Sequence, residues 1–84
     1  MSYFVYILEC ADGTFYTGST TDLVRRIREH NDSKKGARYT KTRRPVVLKY
    51  TEKCETRSDA LKREIEIKSL ERKKKENLWK NLGS

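Results

Sequence analysis

The sequence predicts a small α+β domain, a three-stranded, mostly antiparallel sheet flanked by helices in the order β-β-α-β-α-α. Three observations predict it. Two short aromatic and β-branched runs are joined through Asp12-Gly13, a strong hairpin signal. Apolar residues recur at helical spacing in two later segments. Between those segments lies a third strand-like run.

Residues 3–9, YFVYILE, form the first predicted strand, and residues 14–18, TFYTG, its partner. The turn allows two registers. A two-residue loop, Asp12-Gly13, puts Tyr6 and Tyr16 on opposite faces. A three-residue loop, Ala11-Asp12-Gly13, with Gly13 as a left-handed bulge residue, pairs Cys10 with Thr14 and puts both tyrosines on one face. The first helix is expected over residues 22–30, capped by Thr20 or Thr21, with Asp22 suited to its positive end. With Leu23 as origin, Ile27 falls at about 40°, His30 at about −20° and Arg26 at about −60°. Arg26 and His30 therefore lean toward the sheet, while Arg25, Arg28 and Glu29 point to solvent.

Residues 34–49 hold seven Lys or Arg and no acid, punctuated by Gly36 and Pro45. They read as a loop or short helical turn, followed by a third strand over 46–54. Thr56-Arg57-Ser58-Asp59 is capping-box-like and opens a second helix running to about Leu70. With Leu61 as origin, Ile65 lies at about 40°, Ala60 at about −100° and Ile67 at about −120°. Glu64, at about −60°, falls within this apolar arc, whereas Glu66 lies outside it. A carboxylate turned toward a core needs a partner or a metal. The final segment, ERKKKENLWKNL, is expected to be a short helix docked through Leu78, Trp79 and Leu82.

The 84 residues make one domain, 1–84, with 38% charged and 35% hydrophobic residues, hence a charged surface around a thin core. A net charge of +8 favours a polyanionic partner, of which nucleic acid is the commonest. Cys10 and Cys54 form neither a secretory framework nor a zinc motif, and the N-terminus lacks the pattern of a signal peptide. No run approaches the ~20 apolar residues of a membrane span. A cytoplasmic protein with reduced thiols is expected.

The ordered set Tyr6, Tyr16, Gly18, Arg26, His30 and Glu64 resembles the GIY-YIG nuclease superfamily. Its first triplet is Phe4-Val5-Tyr6. The second, Tyr16-Thr17-Gly18, opens ten residues after Tyr6. The GARYTKTRRP segment and the ALKREIEIK helix are similar to the short stand-alone bacterial subgroup. Phe4 replaces the glycine of the first triplet, Thr17 replaces an isoleucine, and Asn77 is the nearest counterpart of a late-helix asparagine found in many members. Both tyrosines line the site in the family, so the resemblance implies the three-residue hairpin loop.

The resemblance implies a metal-dependent endonuclease that hydrolyses DNA phosphodiester bonds, structure-selective and linked to repair or recombination. Glu64 would hold Mg²⁺ (or Mn²⁺), since one carboxylate suits an ion that keeps most of its waters; the plainer reading is an ion pair with Arg26 or a nearby Lys. Arg26 would clamp the scissile phosphate, or merely snorkel over the sheet. Tyr6 would contact or deprotonate the attacking water, against an ordinary pKa of ~10. Tyr16 would orient water or phosphate. Both tyrosines are otherwise sheet packing. His30 would relay a proton or bond the phosphate; a helix C-terminal His is otherwise a dipole contact. Gly18, counted with the nucleic-acid-binding residues, would permit close backbone approach or a bulge.

Lys34, Lys35, Arg38, Lys41, Arg43 and Arg44 would track phosphates while Tyr39 stacks on a base. The ERKKKEN segment reads as a solvated helix face. The alternatives are a non-cleaving nucleic-acid-binding module or repair-complex adaptor, and a protein-interaction domain with incidental charge. A monomer is expected, with a protein partner as one source of specificity.

Overall fold

The computed structural model describes residues 2–80. The elements are β1 (Tyr3–Glu9), β2 (Phe15–Thr20), α1 (Leu23–Asp32), α2 (Arg38–Lys41), β3 (Val47–Cys54), α3 (Arg57–Lys68) and α4 (Arg72–Lys80). The sheet has the order β2-β1-β3, and both pairings are antiparallel. β1 is central and buried on both faces, which is why its sequence is nearly continuous in apolar residues. β2 is left as a free edge.

The hairpin has the three-residue loop. The Cys10 N–H donates to the Thr14 carbonyl at 2.8 Å, and the Gly13 N–H donates to the Cys10 carbonyl at 2.9 Å. Gly13 has φ +84°, the left-handed region that a bulge at this position requires. Tyr6 consequently pairs with Gly18 and Leu8 with Tyr16, so both tyrosines lie on one face.

Local hydrogen bonds set the helix ends. Asp22, rather than Thr20 or Thr21, caps α1, its carboxylate accepting the Arg25 N–H at 3.1 Å. The Thr20 hydroxyl instead accepts the Asp22 N–H. Thr56 caps α3 by accepting the Asp59 N–H at 3.1 Å. α1 extends two residues beyond His30, and Asn31 ties it to the third strand by bonding both the N–H and the carbonyl of Val46.

Two apolar clusters sandwich the sheet. Val5 and Ile7 pack with Ala60 and Ile67, joined by Leu78 and Trp79 of α4. Tyr6, Leu8, Cys10 and Val46 pack on the opposite face with Leu23 and Ile27 of α1. Cys10 and Cys54 join different clusters and are free thiols. Leu82 lies outside the described residues.

One helix face departs from expectation. Leu61 and Ile65 are exposed, while α3 contacts the sheet through Ala60 and Ile67. The small Ala60 permits close approach, and burial of Ile67 rotates the helix. Glu64, between these two arcs, turns toward β2. Among the described residues no helix is long and apolar enough to cross a membrane.

Candidate active site

The Tyr6 hydroxyl is the point at which the predicted residues meet. Tyr6 is 1% exposed, and its ring lies over Gly18. A Cβ on Gly18 would stand 2.5 Å from the Tyr6 Oη and 3.2 Å from the Tyr16 ring. Gly18 is buried, and its missing side chain makes room for the phenol.

His30, at the same depth, lies 2.8 Å through Nε2 from the Tyr6 Oη. Its Nδ1 is 3.0 Å from the Thr40 Oγ1 and receives the Ala37 N–H at 3.3 Å. A backbone N–H only donates, so with Nδ1 accepting from Ala37 the ring proton sits on Nε2 and points at Tyr6. The single Thr40 hydroxyl proton is then shared between Nδ1 at 3.0 Å and the Ala37 carbonyl at 2.9 Å. Burial, with the nearby Arg26 charge acting in the same direction, lowers the His30 pKa from 6.5 to about 4. His30 is neutral at pH 7.

Burial pushes the Tyr6 pKa up to about 12; the nearby Arg26 opposes the rise, and the charges of Tyr16 and Glu64 add to it. Arg26 is itself fixed, donating through Nη1 to Glu29 at 2.9 Å and to the Lys35 carbonyl at 2.8 Å. Glu29 is thereby half-buried instead of facing solvent. The Tyr16 ring stands 5.1 Å from the His30 ring, centroid to centroid.

Glu64 reaches this cluster from the other side of the sheet, across the free edge of β2. Ser19 pairs with Val5 and so faces α3. Its hydroxyl donates to Glu64 at 2.9 Å. The second carboxylate oxygen meets the Lys68 Nζ at 2.7 Å. The ion pair expected for Glu64 is thus with Lys68, four residues along the same helix, while Arg26 pairs with Glu29. Among the described residues no three His, Cys, Asp or Glu side chains converge as a metal cluster.

The basic segment divides into two kinds of side chain. Lys34, Lys35, Arg38 and Lys41 are exposed. Arg43 is tied to Asp12 at 3.0 Å and lies 3.9 Å over the Tyr39 ring. Arg44, expected on a phosphate track, is instead committed to the fold. Its guanidinium donates to the carbonyls of His30, Glu29 and Ser33 at 2.6, 3.2 and 2.6 Å, satisfying the open end of α1.

Asn77 is exposed on α4. Sequence reasoning missed Thr40, Ala37, Ser19 and Lys68, and placed Lys75 on a solvated face where it is half-buried. The i,i+4 spacing of Glu64 and Lys68 was the one available signal.

A sequence profile of the GIY-YIG catalytic domain matches residues 2–77. The chain is 60% identical over 79 residues to a UPF0213 protein of Desulfotalea psychrophila, covering 94% of this chain and 72% of that one. It is 52% identical over 75 residues to a UPF0213 protein of Halobacterium salinarum, covering 89% and 96%. Two solution NMR structures share the fold. A UPF0213 protein of Bacillus halodurans has TM-score 0.62 and 48% identity, covering 100% of this chain and 88% of that one. A protein from E. faecalis has TM-score 0.67 and 49% identity, covering 96% and 85%. Ordered motif, sheet topology and near-complete sequence match agree: the chain belongs to the GIY-YIG catalytic domain family, a family of nucleases.

Proposed function

We propose that the protein is a metal-dependent endonuclease that hydrolyses DNA phosphodiester bonds, selects its substrate by structure, and serves DNA repair or recombination in the cytoplasm. One observation carries the reading. The Tyr6 hydroxyl is met by His30 at 2.8 Å and lies within the electrostatic reach of Arg26, Tyr16 and Glu64. Packing alone gives no reason to bury a histidine, a threonine and a tyrosine hydroxyl together.

In this reading Arg26, already held by Glu29 and the Lys35 carbonyl, presents its guanidinium to the scissile phosphate. Tyr16 orients the phosphate or the attacking water. Tyr6 contacts that water. With its pKa pushed up to about 12, Tyr6 keeps its proton at neutral pH: its oxygen receives the His30 Nε2–H, and its own O–H is offered to the water or to a phosphate oxygen. His30 acts as a neutral donor that positions Tyr6. The donor set also fits Mg²⁺ or Mn²⁺. Glu64 is a lone carboxylate oriented by Ser19, with Lys68 as the counterion that a metal would displace. Such an ion, when bound, neutralises phosphoryl charge and helps the leaving oxygen. Lys34, Lys35, Arg38, Lys41 and Arg43 supply sequence-independent phosphate contacts near the site.

The test is cleavage at low salt with Mg²⁺ or Mn²⁺, offering duplex, single-stranded, flap and branched DNA. Cleavage by the parent, reduced at least ~100-fold in Glu64→Ala and Arg26→Ala that remain folded by circular dichroism, is expected. Salt-sensitive binding without cleavage of any substrate would replace the enzyme with a binding module.

A further inference from the structure

Tyr16 forms a boundary between the cluster at Tyr6 and a separate cavity of about 210 Å³, lined by Phe15, Tyr16, Thr17, Tyr39, Lys68 and Lys75. Its aromatic walls are in contact with neighbouring side chains. The Tyr16 and Tyr39 rings are 6.1 Å apart and 26° from parallel. Tyr39 is held by Arg43, which donates to the Tyr39 carbonyl and to Asp12. Phe15 is pinned by the edge of Trp79 at 5.3 Å and by Arg72 at 4.2 Å over its ring. Arg72 also donates to the Gly13 carbonyl. Among the described residues the lining is aromatic but for Thr17 and two lysines, of which Lys68 is paired with Glu64 at 2.7 Å and Lys75 is not in an ion pair. Lys75 is half-buried there.

We infer that this cavity seats one unstacked nucleobase of the nucleotide next to the phosphate held at Tyr6 and Arg26. Lys68 and Lys75 meet the flanking phosphates. This rests on the nuclease reading and narrows its substrate to DNA that is single-stranded or carries an unpaired nucleotide at the cleavage point. A planar ring with attached negative charge satisfies both halves of the lining, since every base offers a π-face to an aromatic wall. A paired base in a duplex is stacked on both sides and would have to be withdrawn from the helix to enter.

The test separates binding from cleavage by working in EDTA with the full chain. Affinities are measured by fluorescence anisotropy for a single-stranded DNA oligonucleotide and for a duplex of equal length. The oligonucleotide also carries 2-aminopurine, moved one position at a time. The single strand is expected to bind more tightly, and Tyr39→Ala to weaken it about 10-fold while changing duplex binding less than about 2-fold. One 2-aminopurine position should change its fluorescence with the parent and not with Tyr39→Ala. Lys75→Ala, which leaves the aromatic walls intact, should lower the salt dependence of single-strand binding. Equal affinity for single strand and duplex, or no responsive 2-aminopurine position in the parent, overturns the base seat even if metal-dependent duplex cleavage is found. A responsive base together with no cleavage in Mg²⁺ upholds the seat and removes the nuclease reading instead.

Discussion

On the face covered by α3 and α4, Val5 and Ile7 meet Ala60 and Ile67, and Thr17, opposite Ile7, is the one buried polar side chain among the described residues there. On the face covered by α1, Tyr6 and Leu8 share their depth with His30 and Thr40, both 0% exposed. The same central strand supplies both faces by alternation. This face of a thin core thus carries polar groups that must be satisfied locally, and among the described residues no buried side-chain nitrogen or oxygen lacks a hydrogen-bond partner. The difference teaches that one face holds the fold while the other uses that rigidity to hold a phenol, an imidazole and a guanidinium in register. Glu64 links them, because its helix packs on the apolar face and its carboxylate reaches past β2.

The largest effect is expected where only packing is at stake. Ile67→Ala should destabilise the domain by about 2–5 kcal/mol, the range for truncating a buried Ile with partial relaxation. The measurement is urea denaturation. Cleavage per folded molecule at low temperature should stay close to the parent's. A large loss of cleavage at unchanged folded fraction would show that the apolar face also tunes the site.

The polar face should respond to pH where the apolar face does not. His30 has an unfolded pKa of 6.5 and a folded pKa of about 4. Between these values the unfolded chain binds the proton and the folded chain does not, so stability falls as pH drops below 6.5. The full cost, about 3 kcal/mol, is reached once pH is below the folded value. Thermal melts of the parent and His30→Gln from pH 7.5 to pH 4 measure it. The steeper loss should belong to the parent, and parallel curves would remove the buried neutral imidazole from the account.

How far this division was legible depends on what left a period in the sequence. The two strands, the hairpin signal and both long helices follow from alternation, capping residues and helical spacing. Arg26 was separable from Arg25 by angle alone, and Glu64 from Glu66. The shared face of Tyr6 and Tyr16 needed the loop length, which residue types left open between two turns. The arm that holds His30 was not legible, because Ala37 and Thr40 lie in a basic stretch with no hydrophobic period. Arg44 has the composition of a phosphate contact, and only tertiary structure shows it bound to three carbonyls. Leu61 and Ile65 defeated the angular argument because the close contact at Ala60, not the mean apolar direction, sets the rotation of α3.

The smallest expected effect examines the arm directly. Thr40→Val keeps shape and removes the hydroxyl, at a cost of about 1 kcal/mol, while Thr40→Ser should recover most of it. In a domain of this size that is a fall of roughly 4–8 °C in Tm. Stability alone would not say which way the hydrogen bonds run, but ¹⁵N chemical shifts of the His30 ring do. With Nδ1 accepting from the Ala37 N–H, the proton stays on Nε2 in both the parent and Thr40→Val, and Tyr6 continues to receive it. Were Thr40 the acceptor, the parent would show its proton on Nδ1, and the valine variant would shift it to Nε2. The first pattern makes His30 a fixed donor that steadies the Tyr6 oxygen. The second would make it a base waiting for the Tyr6 proton, and the polar face would then be a relay and not a clamp.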